Sequence, residues 1–510
     1  MFDKRLYLRN IVANTLYFAI SVILTFAVTP YIVSTLGDYV YGYWSIIISV
    51  LIYFSFFDLG FQSALGHYVS RHLSEGDEAS LESKINSALF FFIWVAIACT
   101  MGGAILALYL PGAFGMKGAI LNSARIGIFL AIAAAGLRFA TCTFQQILVG
   151  LQRFDLFSGV LLATRLLNTG FTLIALKYRP GLASMGMAFF LSTAFESLLF
   201  MLFAKSQLKG IRLQPFRFTH SAFVVLWQYG VYSFLINITT QLSLRVGPLI
   251  IAWKMGAAAV TYYGIGSDLI PYMMGITSAI AQPLLQIIIP MDVKKKTEDI
   301  RQLMLSGTRY VFAVVTLLSV NIFLGGPRFL GQWMGEKYLF DLPFGSSGDV
   351  LLILGISLLL SQSSSVAHQI LFARRVNNLF AILTITETIL FLILAFFLVK
   401  PFGILGIAFA AMLPKSISEG IFVPLLTTHQ IGMPIGTYVR HAILPNLLAM
   451  AATLSLGILL RPHWHWDGWL GVFGLFTLVS LLHLGFLGVF VLEKKYFLTA
   501  MFWLSKVLRR

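Results

Sequence analysis

A chain of 510 residues with 58% apolar residues, only 11% charged residues and a mean hydropathy of +0.86 cannot cover its surface for water. Soluble domains carry about 25% charged residues, so the composition excludes a soluble enzyme, a disordered chain and a coiled coil. The net charge of +16 reads as Lys and Arg retained beside anionic lipid, with no nucleic-acid partner.

A transmembrane helix needs about 20 predominantly apolar residues. Fourteen such stretches follow one another: 11–34, 40–66, 85–110, 126–149, 158–176, 183–204, 223–251, 259–290, 303–325, 349–373, 379–398, 404–426, 438–460 and 469–492. The first is too long for the apolar region of a signal peptide and lacks a small-residue cleavage site, so it is expected to stay as a membrane helix. Without water to satisfy the backbone, spans of this length are helical. The predicted fold class is an all-α integral membrane protein. With both termini cytoplasmic, 22 Lys and Arg lie in or beside cytoplasmic segments against 9 on the outer face, and five lie within spans. That bias predicts cytoplasmic N- and C-termini.

The loops are short, the longest outer one running from Gly326 to Gly348. The expected layout is an N-terminal lobe of six spans (1–204), a basic cytoplasmic linker (205–220), a C-terminal lobe of six spans (221–426), two further spans (427–492) and an amphipathic cytoplasmic tail (493–510). A weak repeat supports the two lobes. Leu36-Gly37 and Tyr41-Gly42 open span two, and Met255-Gly256 and Tyr263-Gly264 open span eight. Pro30 and Pro248 sit near the outer ends of spans one and seven. Repeated bundles of this kind are a transporter feature.

Motifs of soluble catalysis are missing: there is no Walker loop, dinucleotide fingerprint, HExxH or GxSxG. Cys99 and Cys142 both fall in apolar runs and support neither a disulfide framework nor a zinc site. The run His463-Trp464-His465-Trp466 reads as an aromatic belt at the water interface rather than a metal-ligand pair. No enzyme activity, metal or cofactor is expected.

The informative residues are charges at depth. Each Arg, Lys or Asp at a helix centre costs about 2.5–3.5 kcal/mol, so such groups should face a wet cavity or one another. The cations are Arg138, Arg165, Arg245, Arg309 and Lys415, and the acids are Asp58, Glu196, Asp268, Glu387 and Glu419. Arg138, Arg165 and Arg245 lie deep and are read as lining a cavity. Guanidinium groups there would suit phosphate, which Arg grips with two parallel hydrogen bonds. Lys415 and Glu419 are four apart and share a helix face, which leaves Lys415 as either a cavity cation or half of a structural pair. Arg309 is close enough to the cytoplasmic end of its span to snorkel. Asp58 is read as structural. Span eight carries Pro271, Pro283 and Pro290, with Asp268 three residues before the first. Proline kinks a helix, and Pro271 and Pro283 are candidate hinges.

Asn14, Pro30, Leu36-Gly37, Tyr41-Gly42-Tyr43-Trp44 and Phe57-Asp58-Leu59-Gly60, with Ala64 and Arg71, together resemble the opening of polysaccharide flippases of the Wzx type. These belong to the multidrug/oligosaccharidyl-lipid/polysaccharide exporter superfamily. The resemblance implies two six-helix lobes forming a V around a central cavity. It also implies a bacterial inner-membrane protein that moves undecaprenyl-diphosphate-linked oligosaccharide from the cytoplasmic to the periplasmic face. Polymerase and chain-length regulator proteins are further implied partners. On this resemblance Arg138, Arg165, Arg245 and Lys415 would hold the diphosphate or acidic sugars, and Glu196, Asp268 or Glu387 would serve a coupling ion. Rival readings are a multidrug exporter or a lipid II flippase of the same superfamily. A membrane glycosyltransferase or polymerase is disfavoured by the short outer loops.

Overall fold

The computed structural model describes residues 4–75, 78–113, 116, 118–208, 212–340, 345–374, 377–460 and 467–491. The side chain of Arg245, the run 463–466 and the tail 493–510 lie outside the described residues. Every regular element among those described is helical. Among the described residues nine helices are long and apolar enough to cross a membrane, or up to eleven when two bent pairs each count as one span. The chain is therefore a multi-pass integral membrane protein. Its contacts divide it into two compact units, Met1–Thr261 and Tyr262–Arg510.

In the first unit, α1 (Lys4–Phe54) runs through 51 residues with a non-helical break at Gly37, φ 74° and ψ 160°. At 1.5 Å per residue an unbroken helix of that length would far exceed about 30 Å of hydrocarbon. The positive φ, which glycine adopts without a Cβ penalty, divides α1 into the first two spans read from the sequence. A 3-10 turn, Ser55–Asp58, then breaks the second of these before α2 (Phe61–Glu75). Phe57-Asp58-Leu59-Gly60 is thus a corner rather than mid-span helix. Asp58 is buried and accepts from the Gln62 N–H at 3.0 Å, serving the first turn of α2.

Helices α3 (Glu78–Ala113), α4 (Ala119–Gly150), α5 (Phe154–Tyr178) and α6 (Leu182–Gln207) follow. In lipid, apolar side chains gain little by meeting one another, so close packing and hydrogen bonds hold the helices together. Gly186 of α6 meets Gly127 of α4 so closely that a Cβ on Gly186 would lie 2.6 Å from the Gly127 carbonyl oxygen. At one end of this bundle Arg9 of α1 donates to Asp155 at 2.7 Å, and the Asp155 N–H donates to Asn10 Oδ1 at 2.7 Å. Helix α7 (His220–Met255) packs on α1, α2 and α3. The segment before it is clamped to α3. Asn86 Nδ2 donates to the Arg212 carbonyl at 3.0 Å, and its Oδ1 accepts from the Gln214 N–H at 2.7 Å. Ser87 Oγ accepts from the Thr219 N–H at 3.1 Å.

The helix α8 (Ala257–Ser267) begins at the end of this unit and continues into the second. There the stretch 259–290 is broken, as its prolines predict, into α8, α9 (Leu269–Ala281) and α10 (Leu284–Val293). The break at Asp268 falls where Pro271 has no N–H to donate one turn back, and the second falls at Gln282-Pro283, with a bend of 40°. Helix α11 (Thr297–Met334) extends well past Gly326, so much of the expected outer loop is helical. Buried Leu330 and Trp333 hold its last turns. After α12 (Lys337–Phe340), α13 (Ser347–Gln362) and α14 (Ser365–Ala373) form an apolar pair bent by 42°. No proline causes that bend. It falls in the run Ser361-Gln362-Ser363-Ser364-Ser365, whose serine hydroxyls donate to carbonyls three residues back.

Helix α15 (Asn377–Ile417) repeats the device of α1, with a non-helical Gly403 at φ 56° and ψ −135° dividing two spans. A π-helical turn, Ser418–Phe422, leads into α16 (Val423–Gln430), and after α17 (Ile435–Tyr438) a second π turn, Val439–Ile443, leads into α18 (Leu444–Leu460). The last described helix is α19 (Gly468–Phe490). A buried core of Ile300, Met304, Val311, Ile370, Val423 and Tyr438 joins α11, α14, α16 and α17.

Candidate functional site

The first unit contains a cavity of about 380 Å³ between the second half of α1, α4 and α6. Ile48, Ile52, Phe139 and Phe189 make most of its wall apolar, and Arg138, Gln62 and Gln145 supply the main polar groups. Arg138 and Gln145 are seven residues apart on α4, so two helical turns bring them to one face.

Arg138 is held in place by Glu196 of α6. Its Nη2 lies 2.9 Å from both carboxylate oxygens, and its Nε lies 3.2 Å from Oε1. Gln145 Nε2 adds a third donor to Oε1 at 3.2 Å. The two partners differ in exposure: the Glu196 side chain is 3% exposed and the Arg138 side chain 50%. The carboxylate therefore forms the floor and the guanidinium the lining. No described residue accepts a hydrogen bond from Arg138 Nη1, so its two N–H donors remain for a ligand oxygen. The same interface carries Thr141 Oγ1 donating to Ser197 Oγ at 2.9 Å. Gln62 Oε1 accepts from Gln146 Nε2 at 3.3 Å.

Arg165 does not line this cavity. It lies on α5 against α1, where Nη2 donates to Thr25 Oγ1. Its Nε is buried and has no hydrogen-bond partner among the described residues. Among the described residues no carboxylate pairs with Arg165. One turn further along, Asn168 Nδ2 donates to Ser192 Oγ of α6 at 2.9 Å.

Of the remaining depth charges, Arg245 lies on α7 of the first unit with its side chain outside the described residues, and Lys415, Glu419, Glu387, Arg309 and Asp268 lie in the second unit. Lys415 Nζ lies 2.8 Å from Glu419 Oε1 and 3.9 Å from Glu387 Oε1, so the pairing expected from the four-residue spacing forms and a second acid joins it. Arg309 Nε donates at 2.8 Å to the carbonyl of His441, a residue of the second π turn. Asp268 is exposed at the α8–α9 break, and Pro271 and Pro283 stand beside the two breaks.

Sequence reasoning missed the amides. Gln62 and Gln145 reach the cavity with no charge to mark them, although a Gln-Gln pair inside an apolar run is the available signal. It also missed His483, which is fully buried in α19. Its Nδ1 pairs with Thr453 Oγ1 of α18 at 2.8 Å, and its Nε2 with Thr316 Oγ1 of α11 at 3.0 Å.

No family model matches the chain. It is 22% identical over 445 residues to the uncharacterized membrane protein EpsK of Bacillus subtilis (strain 168), covering 86% of this chain and 85% of that one. Among solved structures it is similar to the lipid II flippase MurJ in an inward closed conformation, with TM-score 0.68 and 14% identity over 93% of this chain and 98% of that one. It is also similar to an inward-facing multidrug resistance MATE family transporter of the MOP superfamily, with TM-score 0.64 and 16% identity over 80% and 94%. A MOP superfamily transporter from Pyrococcus furiosus Vc1 matches with TM-score 0.61 and 16% identity over 85% and 99%. The chain thus has the all-α membrane fold of these transporters.

Proposed function

We propose that this protein is a flippase for a lipid-diphosphate-linked oligosaccharide, of the undecaprenyl-diphosphate type, in a bacterial cytoplasmic membrane. Both termini would lie in the cytoplasm. The observation that carries the reading is Arg138, a half-exposed guanidinium inside an apolar membrane bundle, with Nη1 left over after Glu196 has taken Nε and Nη2.

The chemistry of the ligand follows from that arrangement. A diphosphate oxygen accepts from Nη1 and is drawn by the guanidinium charge in a low-dielectric setting. The carboxylate of Glu196 keeps the cation from being an unpaired charge in lipid when no ligand is present. The sugars meet amides and hydroxyls such as Gln62, Gln145 and Thr193. Arg165 offers a second cation on α5 for the same headgroup at another stage of its passage. A long polyprenyl tail stays in hydrocarbon throughout, so only the head needs a polar route. Alternating access moves that route from one face to the other without covalent chemistry. Pro271 and Pro283, beside the α8–α9 and α9–α10 breaks, are the hinges in this reading.

The fold likeness to a lipid II flippase and to MATE transporters supports transport over catalysis. Multidrug export is disfavoured because a guanidinium repels cationic drugs. A strain deleted for the gene, with no redundant flippase, tests the reading. The expected result is loss of the surface polysaccharide and accumulation of lipid-linked repeat units on the cytoplasmic face. Normal surface polysaccharide in that strain would overturn it.

A further inference from the structure

The segment that leads into α7 carries a basic and aromatic surface that the headgroup cavity does not use. The stretch 205–220 includes Lys205, Arg212, Arg217 and His220 and contains no acid. Asn86 and Ser87 of α3 hold it on both sides of a turn, 214–217, in which the Arg217 N–H donates to the Gln214 carbonyl at 2.9 Å. Pro215 supplies the fixed φ that such a turn takes at its second position. Phe216 stands next, at the tip, and is 78% exposed.

Phe218 shows what the tip lies beside. Its ring centre is 5.2 Å from that of Phe90 on α3, and Phe90 is 6.3 Å from Trp94. Trp94, Ile97, Met101 and Ile105 are all exposed and recur every three or four residues, so they continue from Phe90 as one stripe down α3. Helix α3 is long and apolar enough to cross a membrane, and an exposed apolar stripe on such a helix meets lipid tails. The start of α3 is polar, with Glu78, Glu82, Lys84, Asn86 and Ser87, and from Ala88 it turns apolar. That change marks the boundary between headgroups and acyl chains. The clamp and Phe218 fall at the same level, so Phe216 is presented there on a braced backbone.

Charge fits the same place. The Arg217 side chain is 63% exposed, and Lys205 and Arg212 are exposed as well. Glu82 accepts from the Arg212 N–H at 3.0 Å and lies 3.7 Å from Arg217 Nη1. One carboxylate against three cations leaves a positive excess beside two phenyl rings. Anionic headgroups attract Lys and Arg at the membrane surface, and amphipathic segments bury aromatic rings at the acyl boundary.

We propose that 212–220 is a membrane-surface anchor that binds anionic phospholipid. Phe216 and Phe218 enter the acyl boundary, and Arg212 and Arg217, with Lys205, take the phosphates. Asn86 and Ser87 fix the backbone on either side of the tip, so little ordering is left to be done on binding. Continuity with the α3 stripe favours lipid over a protein partner, which would have to share the patch with lipid tails. The anchor stands whatever the protein transports.

A nitroxide on Phe216→Cys makes the test, in full-length protein with Cys99 and Cys142 changed to alanine. The protein is placed in nanodiscs of phosphatidylcholine with or without phosphatidylglycerol. Electron paramagnetic resonance compares the label's collisions with oxygen, which dissolves in acyl chains, and with a nickel chelate, which stays in water. A label on Lys294→Cys, an exposed position outside the segment, gives the water reference. With phosphatidylglycerol present, the ratio of oxygen to chelate collisions at 216 should exceed that reference several-fold. Omitting phosphatidylglycerol, or adding Arg212→Gln and Arg217→Gln, should bring the ratio down toward it. A 216 label that matches the reference in phosphatidylglycerol overturns the proposal and points to a protein partner. A depth that responds neither to lipid charge nor to the arginine variants overturns the anionic-lipid assignment. Should the cysteine variant not fold, native mass spectrometry of wild type decides the same point. Retained phosphatidylglycerol should exceed phosphatidylcholine several-fold and fall to parity in Arg212→Gln/Arg217→Gln, and equal retention by wild type overturns the anchor.

Discussion

Arg138 and Glu196 form a single fork: Nη2 of the arginine lies 2.9 Å from each carboxylate oxygen, and the glutamate is the buried member. Residues that the sequence assigns to separate roles, anion binding and ion coupling, are one unit in the structure. Glu196 holds Arg138 by Nε and Nη2, and Arg138 Nη1 is the donor group that no described residue takes.

The fork predicts non-additive mutations. Removing one partner of a buried pair costs about 3–5 kcal/mol, and the half exposure of Arg138 lowers that figure here. Arg138→Ala strands the buried Glu196 carboxylate and should lower the thermal midpoint in detergent. The double variant Arg138→Met/Glu196→Gln removes both charges and should recover most of that loss. Neither should transport. A double variant as unstable as Arg138→Ala would contradict the pairing energetics.

Arg165 is a mid-span cation without a described carboxylate partner, tied to Thr25. Arg165→Ala should reduce export several-fold at unchanged protein level, measured by surface polysaccharide and immunoblot of the same cells. Wild-type export would assign Arg165 to helix packing alone.

His483 joins three helices through its two ring nitrogens. Thr453→Val and Thr316→Val each leave one ring nitrogen buried without a partner, at about 1–3 kcal/mol. Each should lower the melting midpoint. His483→Leu with both threonines changed to valine, which removes the whole polar set, should be closer to wild type than the sum of the single losses. Additive losses across the set would argue against a connected network.

The segment before α7 is fixed to α3 by Asn86 and Ser87. Asn86→Leu removes two of those hydrogen bonds and should speed tryptic cleavage at Arg212 and Arg217. Unchanged cleavage would show that the clamp does not restrain the segment.

Much of the membrane architecture is legible in composition and hydropathy, because lipid permits few backbone solutions. The breaks at Asp268 and Pro283 follow from prolines. The bend at Ser361–Ser365 does not, because serine hydroxyls bend a helix only through carbonyl contacts that spacing does not reveal. The corner at Asp58 is hidden for a similar reason: Phe56, Phe57 and Leu59 make it read as continuous apolar span. Of the site, the depth charges are visible in the sequence and their partners only partly so. The Lys415–Glu419 contact follows from a four-residue spacing. Arg138 and Glu196 are 58 residues apart and meet only through the packing of α4 on α6.

Whether Arg138 carries a diphosphate headgroup through the bundle is decided by reconstitution. Wild type and Arg138→Ala are placed in vesicles that contain a fluorescent polyprenyl-diphosphate oligosaccharide, and the fraction of it that an external quencher reaches is followed over time. Wild-type vesicles should expose nearly all of the lipid, while Arg138→Ala vesicles should stay at the protein-free level. Equal exposure by both proteins, or none by wild type, would refute the role assigned to Arg138.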